Sequence, residues 1–279
     1  MSPKGKYPLS FQYYLGWVSA FLLAPLMYLL IRLVGYRIRN VGKIRKYCLE
    51  RFKAHRGPWI ICANHLTMID SIILVYALAP FYYFPINYRL LPWNLPERAN
   101  FRKNTLLTVL TYLTKCIPVS RGGSRKDAKA VLDKCLYLLG KNQPVLIFPE
   151  GGRTRTGRVD VENFSYGVGY FIEHCAKAKV LCLYLRGDHQ DEYSNLPQWG
   201  EHFTAGAEVL EPVHTELSGL RAQRAYAEQI VKQLARMEES HFAFRSHRSG
   251  SPAESKEQMK NTAYAASVAP SPSMNRNSR

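Results

Sequence analysis

Acidic residues are almost missing from the first 56 positions. Glu50 stands alone there against eleven Lys or Arg, so this stretch carries +10 of the chain's formal +17. Between Pro8 and Ile31 there is no charge of either sign, and the length of this stretch together with its flanking charges disfavours a buried core helix. Paired cysteine spacing is also lacking. Cys48, Cys62, Cys116, Cys135, Cys175 and Cys182 form no C-x-x-C, and several lie inside apolar runs. That pattern excludes a zinc-finger or disulfide framework and suits buried thiols in a reducing compartment. No internal repeat, P-loop or dinucleotide fingerprint occurs, which removes the common nucleotide-binding classes.

The uncharged segment includes LGWVSAFLLAPLMYLLI, long enough to help span about 30 Å of hydrocarbon, with Tyr13, Tyr14 and Trp17 at the end where aromatic residues favour the water boundary. Pro25 leaves two arrangements open: a kinked spanning helix, or two short helices that enter and return. The sequence RLVGYRIRN follows where a signal peptide would need a small-residue cleavage site, so a cleaved leader is disfavoured. For a span, the basic excess after the apolar run places the rest of the chain in the cytoplasm. The basic residues adjoin an apolar anchor and no recognition motif is present, so a lipid surface is expected as partner and nucleic acid is not.

Beyond residue 56, short apolar runs alternate with helical patterns. PWIICAN, CIPVS, PVLIFPE and KVLCLYL read as strands. DSIILVYALA, NTLLTVLTYLTK, SRKDAKAVLDKCLYLLGKN and YGVGYFIEHCAKA read as helices, the third opened by a capping box of Ser124 and Asp127 and stopped at Gly140. The alternation predicts an α/β fold: a largely parallel sheet flanked by helices, with an N-terminal membrane-associated helical segment. A charged helical pattern runs from Leu217 to Arg245. The expected organisation is residues 1–56 as anchor and basic stretch, 57–245 as the folded domain, and 246–279 as a polar, disordered tail.

ANHLTMIDS places His65 and Asp70 five positions apart. On a straight helix or strand the two side chains diverge, so they meet only if a strand ends and a helix begins between them. Asp70 would then orient one ring nitrogen and leave the other to take a proton, as a general base requires. Taken alone, the pattern also suits an aspartate that merely caps its helix. IFPEGGRTRTG offers Glu150, Gly151 and Arg153 in a loop after a second strand, where glycines admit a ligand close to the backbone and guanidinium groups hold phosphate. IPVSRGG ends a third run on Arg121. Parallel strands would bring all three ends to one rim, where open α/β sheets bind ligands.

At these residues the chain resembles the glycerolipid acyltransferase family, which includes the 1-acylglycerol-3-phosphate acyltransferases. NHLTMID is similar to its N-H-x-x-x-x-D block, PVSR to its second block and FPEGGRT to its F-P-E-G-x-R-[ST] block, in matching order over about Pro58 to Arg186. The resemblance implies transfer of an acyl chain from a thioester of coenzyme A or acyl carrier protein to the free hydroxyl of a lysophospholipid, lysophosphatidate first among candidates. It makes residues 57–245 the acyltransferase domain, on the cytoplasmic face of a membrane. His65 is then the base and Asp70 its orienting partner, while Arg121, Glu150, Gly151 and Arg153 shape the pocket for the acceptor's phosphate. No metal or cofactor is implied. No G-x-S-x-G occurs, so a hydrolase-type acyl-serine is unsupported.

The fourth family block carries a proline on a strand, and KVLCLYLRG has none. Arg155 and Arg158 reach headgroups or are simply solvated. The aromatic stretch YFPINYRLLPW lines an acyl groove or packs in the core. The other histidines, His174, His189, His202, His214, His241 and His247 among them, have no patterned partner. Two alternatives remain open: another lysolipid as acceptor, or a non-catalytic, membrane-tethered basic binding protein.

Overall fold

The computed structural model describes residues 7–120, 122–191 and 194–249. The uncharged segment forms one unbroken helix, α1 (Tyr7–Leu33), with Pro25 inside it. At 1.5 Å per residue it is about 40 Å long. Division at Pro25 into two short helices therefore does not occur.

The elements that follow are β1 (Arg37–Ile38), α2 (Val41–Ala54), β2 (Trp59–Ala63), α3 (Asp70–Leu78), α4 (Tyr83–Ile86), β3 (Trp93–Asn94), α5 (Thr105–Leu113), α6 (Arg125–Gly140), β4 (Val145–Ile147), α7 (Gly167–His174), β5 (Lys179–Gly187), β6 (His202–Leu210) and α8 (Gly219–Ser249). A first compact unit ends at Glu238. The second, beginning at Glu239, is described only over residues 239–249, all helical. The rest of the tail, from 250 onward, and Arg121 lie outside the described residues.

Among the described residues six strands form one mixed sheet in the order β1-β6-β5-β2-β4-β3, and only the β5–β6 pair is antiparallel; β2 lies between β4 and β5, parallel to both. Every residue of β2 is buried, as is β5 from Val180 onward, which explains why both read as continuous apolar runs. Their two faces feed two cores. Ile61, Ala63, Leu181 and Leu183 pack with α2 and α3, whereas Ile60, Cys62, Val180 and Cys182 pack with α6, α7 and α8. All six cysteines are free thiols, and all but Cys175 are buried.

CIPVS differs from expectation. It makes two isolated parallel bridges, Asn94 with Cys116 and Glu97 with Val119, and no continuous strand. Pro118 lies between them and has no N–H to give a ladder. The segment still runs parallel to β3, so its end points toward the rim where β2 and β4 end.

Candidate active site

The site begins where β2 stops. Cys62 is in register with Ile147 of β4, so the two strands finish side by side. One residue past β2, the buried Asn64 side chain donates to the Leu185 carbonyl at 2.9 Å and accepts the Leu185 N–H at 2.8 Å. Its amide imitates one more peptide of the β2–β5 ladder and frees the chain to turn. His65 follows immediately.

The turn brings Asp70, first residue of α3, back onto His65. Asp70 Oδ2 faces His65 Nδ1 at 3.0 Å and also accepts the backbone N–H groups of Leu66 at 2.6 Å and Thr67 at 2.8 Å. Its Oδ1 accepts the Thr67 hydroxyl. With its other partners all N–H or O–H donors, the Asp70 carboxylate is placed to accept from Nδ1 as well. Nε2 keeps its lone pair and has no hydrogen-bond partner among the described residues. The helix-capping alternative does not hold: the N-cap position is Ile69, and the carboxylate serves amides upstream of its own helix.

The loop after β4 closes over the same histidine. Glu150 Oε1 accepts the His65 backbone N–H at 3.0 Å, and the Thr154 N–H donates to the His65 carbonyl at 3.1 Å. The imidazole stacks on Phe148, with centroids 4.1 Å apart and planes 17° from parallel. Backbone and ring are thus both fixed, and the side chain remains 14 % exposed at the rim. Gly151 makes the required bend at φ 67°, a conformation costly for any residue with a Cβ, and its N–H returns to the Phe148 carbonyl.

Glu150 is therefore turned inward, toward backbone, and its second oxygen meets the Asp160 N–H at 3.5 Å. Burial pushes its carboxyl up to about 7, although the His65 and Asp160 N–H groups pull the other way. Its geometry makes it a support for the histidine, where the resemblance had it shaping a phosphate pocket. Arg153 comes from the same loop, its Nη1 donating to Asn195 Oδ1 at 2.8 Å, while the Asn195 carbonyl accepts the Met68 N–H at 3.0 Å. Asn195 so joins the histidine turn to the cation. Arg121 lies outside the described residues.

Further along the loop, Arg155 is exposed. Arg158 pairs with Glu238 of α8 at 3.0 Å, and the Val159 N–H reaches both oxygens of that carboxylate. Glu238 is almost fully buried and also accepts the Tyr184 hydroxyl. Buried Arg186 of β5 holds the Gly157 carbonyl and approaches Glu238 at 3.7 Å. Sequence reading missed Thr67, Phe148, Asn64, Asn195, Arg186 and Glu238. Thr67 sits in a turn that invites a hydroxyl cap, but nothing in spacing marks Asn195 or Glu238, which are distant in the chain from what they hold.

Among the described residues no group of three or more His, Cys, Asp or Glu is arranged to hold a metal ion. The geometry is an imidazole held at Nδ1 by a carboxylate, where parallel β2 and β4 end, with Arg153 carried by the loop that closes over it. Such a group can take a proton from a hydroxyl held near Nε2.

A family model described as Acyltransferase matches residues 43–185. No curated protein matches the chain. Among solved structures, the chain is similar to the 1-acyl-sn-glycerophosphate (LPA) acyltransferase PlsC from Thermotoga maritima, at 14% sequence identity and a TM-score of 0.41, over 85% of this chain and 84% of that one.

Proposed function

The chain belongs to the acyltransferase family, and we propose that it moves a fatty acyl chain from an acyl thioester to the free hydroxyl of a lysophospholipid, with lysophosphatidate as the leading acceptor. One observation carries this reading: His65 Nδ1 is tied to Asp70 at 3.0 Å while Nε2 stays open at the rim. In the step, Nε2 takes the acceptor's hydroxyl proton as the oxygen attacks the thioester carbonyl. The C–O bond forms, the C–S bond breaks, and the departing thiolate recovers the proton from the imidazolium. Asp70 balances the positive charge while the ring holds that proton. A positioned base of this kind contributes roughly 10²–10⁴ in rate.

Arg153 serves the acceptor's phosphate, whose charge is the same before and after transfer, and Arg121 is assigned the same task. Glu150 and Gly151 position the histidine and the loop. The donor is acyl-CoA or acyl carrier protein, and no metal or other cofactor takes part. Helix α1, with mean hydropathy 1.9 over a candidate span of Leu9–Leu33, attaches the enzyme to membrane. The basic N-terminal stretch fits the anionic cytoplasmic leaflet, where lysolipid and product both reside.

An acyl-transfer assay over a panel of lysolipid acceptors, with wild type and His65→Ala side by side, tests the proposal. New diacyl lipid is expected from wild type alone. Absence of product with every acceptor and both donors, or undiminished turnover by His65→Ala, refutes it.

A further inference from the structure

Helix α5 has the sequence TLLTVLTYL, and none of its nine residues is buried. Leu106 is 66 % exposed and Val109 48 %. A face turned to water would carry charge at such positions. The helix lies against α1. The buried Gln12 amide donates to the Tyr112 carbonyl at 2.8 Å and to the Cys116 carbonyl at 3.0 Å. A Cβ on Gly16 would stand 2.6 Å from the Leu113 carbonyl oxygen, so the glycine permits the close approach.

The rest of α1 is fastened to the body in the same way. The Trp17 indole N–H donates to the Pro85 carbonyl at 3.0 Å, and the Tyr28 ring meets Tyr76 and Phe81. The buried Lys115 ammonium lies 4.8 Å from the Tyr13 ring centroid while bonding the Tyr88 and Leu91 carbonyls. Residues facing the body run from Leu9 to Ile31, about 33 Å of helix, as long as hydrocarbon is thick. The opposite side shows Phe11, Val18, Leu22 and Leu29 in one exposed stripe. To cross a bilayer, α1 would have to draw α4, α5 and the exposed, charged Arg89 into hydrocarbon with it, at heavy cost.

Charge identifies what covers the apolar face. Arg98, Arg102 and Lys103 are all exposed just before α5, and Glu97 is the one acid between residues 96 and 104. A basic edge on an apolar surface fits an anionic lipid leaflet. We propose that α5 and its preceding basic loop form a second membrane contact, which together with the outer stripe of α1 seats the protein in the plane of one leaflet without crossing it. One helix alone would leave rotation about its own axis free; the second contact removes that freedom. The inference rests on the membrane attachment proposed above and is independent of the acyl-transfer reading.

The test is co-sedimentation of the full chain with vesicles of phosphatidylcholine alone or mixed with phosphatidylglycerol. Leu106→Asp with Val109→Asp is expected to lower binding to both by about tenfold or more. Changing Arg98, Arg102 and Lys103 together to Gln should lower binding to the mixed vesicles by about tenfold or more and leave the other nearly unchanged. Circular dichroism should stay as in wild type, which holds for the loop variant even if the helix variant is perturbed. With protein added outside sealed vesicles, an N-terminal epitope should remain open to protease. Equal binding by wild type and both variants, or a protected epitope, overturns this inference alone. A wild type that binds neither vesicle overturns it together with the attachment of α1.

Discussion

Glu150 at the end of β4 accepts the backbone N–H of His65 at the end of β2, at 3.0 Å. The bond crosses 85 residues of chain and connects two loops that neighbouring parallel strands deliver to one place. Because it grips backbone, it fixes where the imidazole starts and leaves the ring to Asp70 and Phe148.

Loss of either member of the ring pair should be felt differently. His65→Ala should lower kcat by roughly 10²–10⁴ with thermal stability close to wild type. Asp70→Ala should do comparable harm to kcat and also destabilise, because the Leu66 and Thr67 amides and the Thr67 hydroxyl lose their acceptor. A buried donor left unsatisfied costs about 1–3 kcal/mol. Initial rates and thermal denaturation on both variants separate the two effects.

Glu150 imposes a pH dependence on stability. Its native carboxyl titrates near 7, above the ordinary value of 4.5, so the folded state binds the proton more tightly than the unfolded one. Stability from this group is therefore greatest below about 4.5, declines as pH rises toward 7, and levels off above it. The full change is on the order of 3 kcal/mol. Glu150→Gln keeps an oxygen for the His65 N–H and removes the titration. Thermal midpoints measured between pH 5 and 8 should fall less steeply in this variant than in wild type.

Arg153 and Asn195 should act on binding more than on chemistry. Arg153→Ala is expected to raise KM for a phosphate-bearing lysolipid by roughly 10-fold or more, with a smaller fall in kcat, as for an interaction equal in ground and transition states. Asn195→Ala frees the guanidinium from its 2.8 Å partner and should shift KM the same way by less. An equal loss of kcat in the arginine variant would place the cation at the reacting atoms instead.

Glu238 ties α8 to the site loop through Arg158, Val159 and Arg186. Removing a carboxylate so deeply buried deprives Arg186 of a counterion, and breaking buried pairs costs about 3–5 kcal/mol. Glu238→Ala should lower the denaturation midpoint well beyond Arg158→Ala, whose guanidinium is 44 % exposed.

Legibility in the sequence tracked burial. β2, β4 and β5 are continuous apolar runs because both faces of the sheet are covered, and α6 announced itself through a capping serine whose hydroxyl does accept the Asp127 N–H. α2 was hidden among basic residues, since only Cys48 and Phe52 of its fourteen positions are buried. β6 was missed because most of it is half-buried and built on Ala205, Gly206 and Ala207, with little apolar bulk. Two-residue strands such as β1 and β3 exist only through their partners and leave no local signature. In the site, the His65–Asp70 pairing could be anticipated from the strand-to-helix bend, as could the nearby loop. Glu150's inward orientation could not, because a carboxylate in a glycine loop looks the same in sequence whether it meets ligand or backbone.

The amide of Asn64, standing in for a peptide, gives the protein an uneven tolerance to changes of length. One residue inserted between Ala63 and His65 would carry the imidazole off its anchorage. Several added at the exposed turn near Phe81 would leave that anchorage in place and disturb only the local contact of Phe81 with Tyr28 of α1. Natural and engineered variation in size should accordingly accumulate after the first turns of α3 and never within the two residues that leave the sheet.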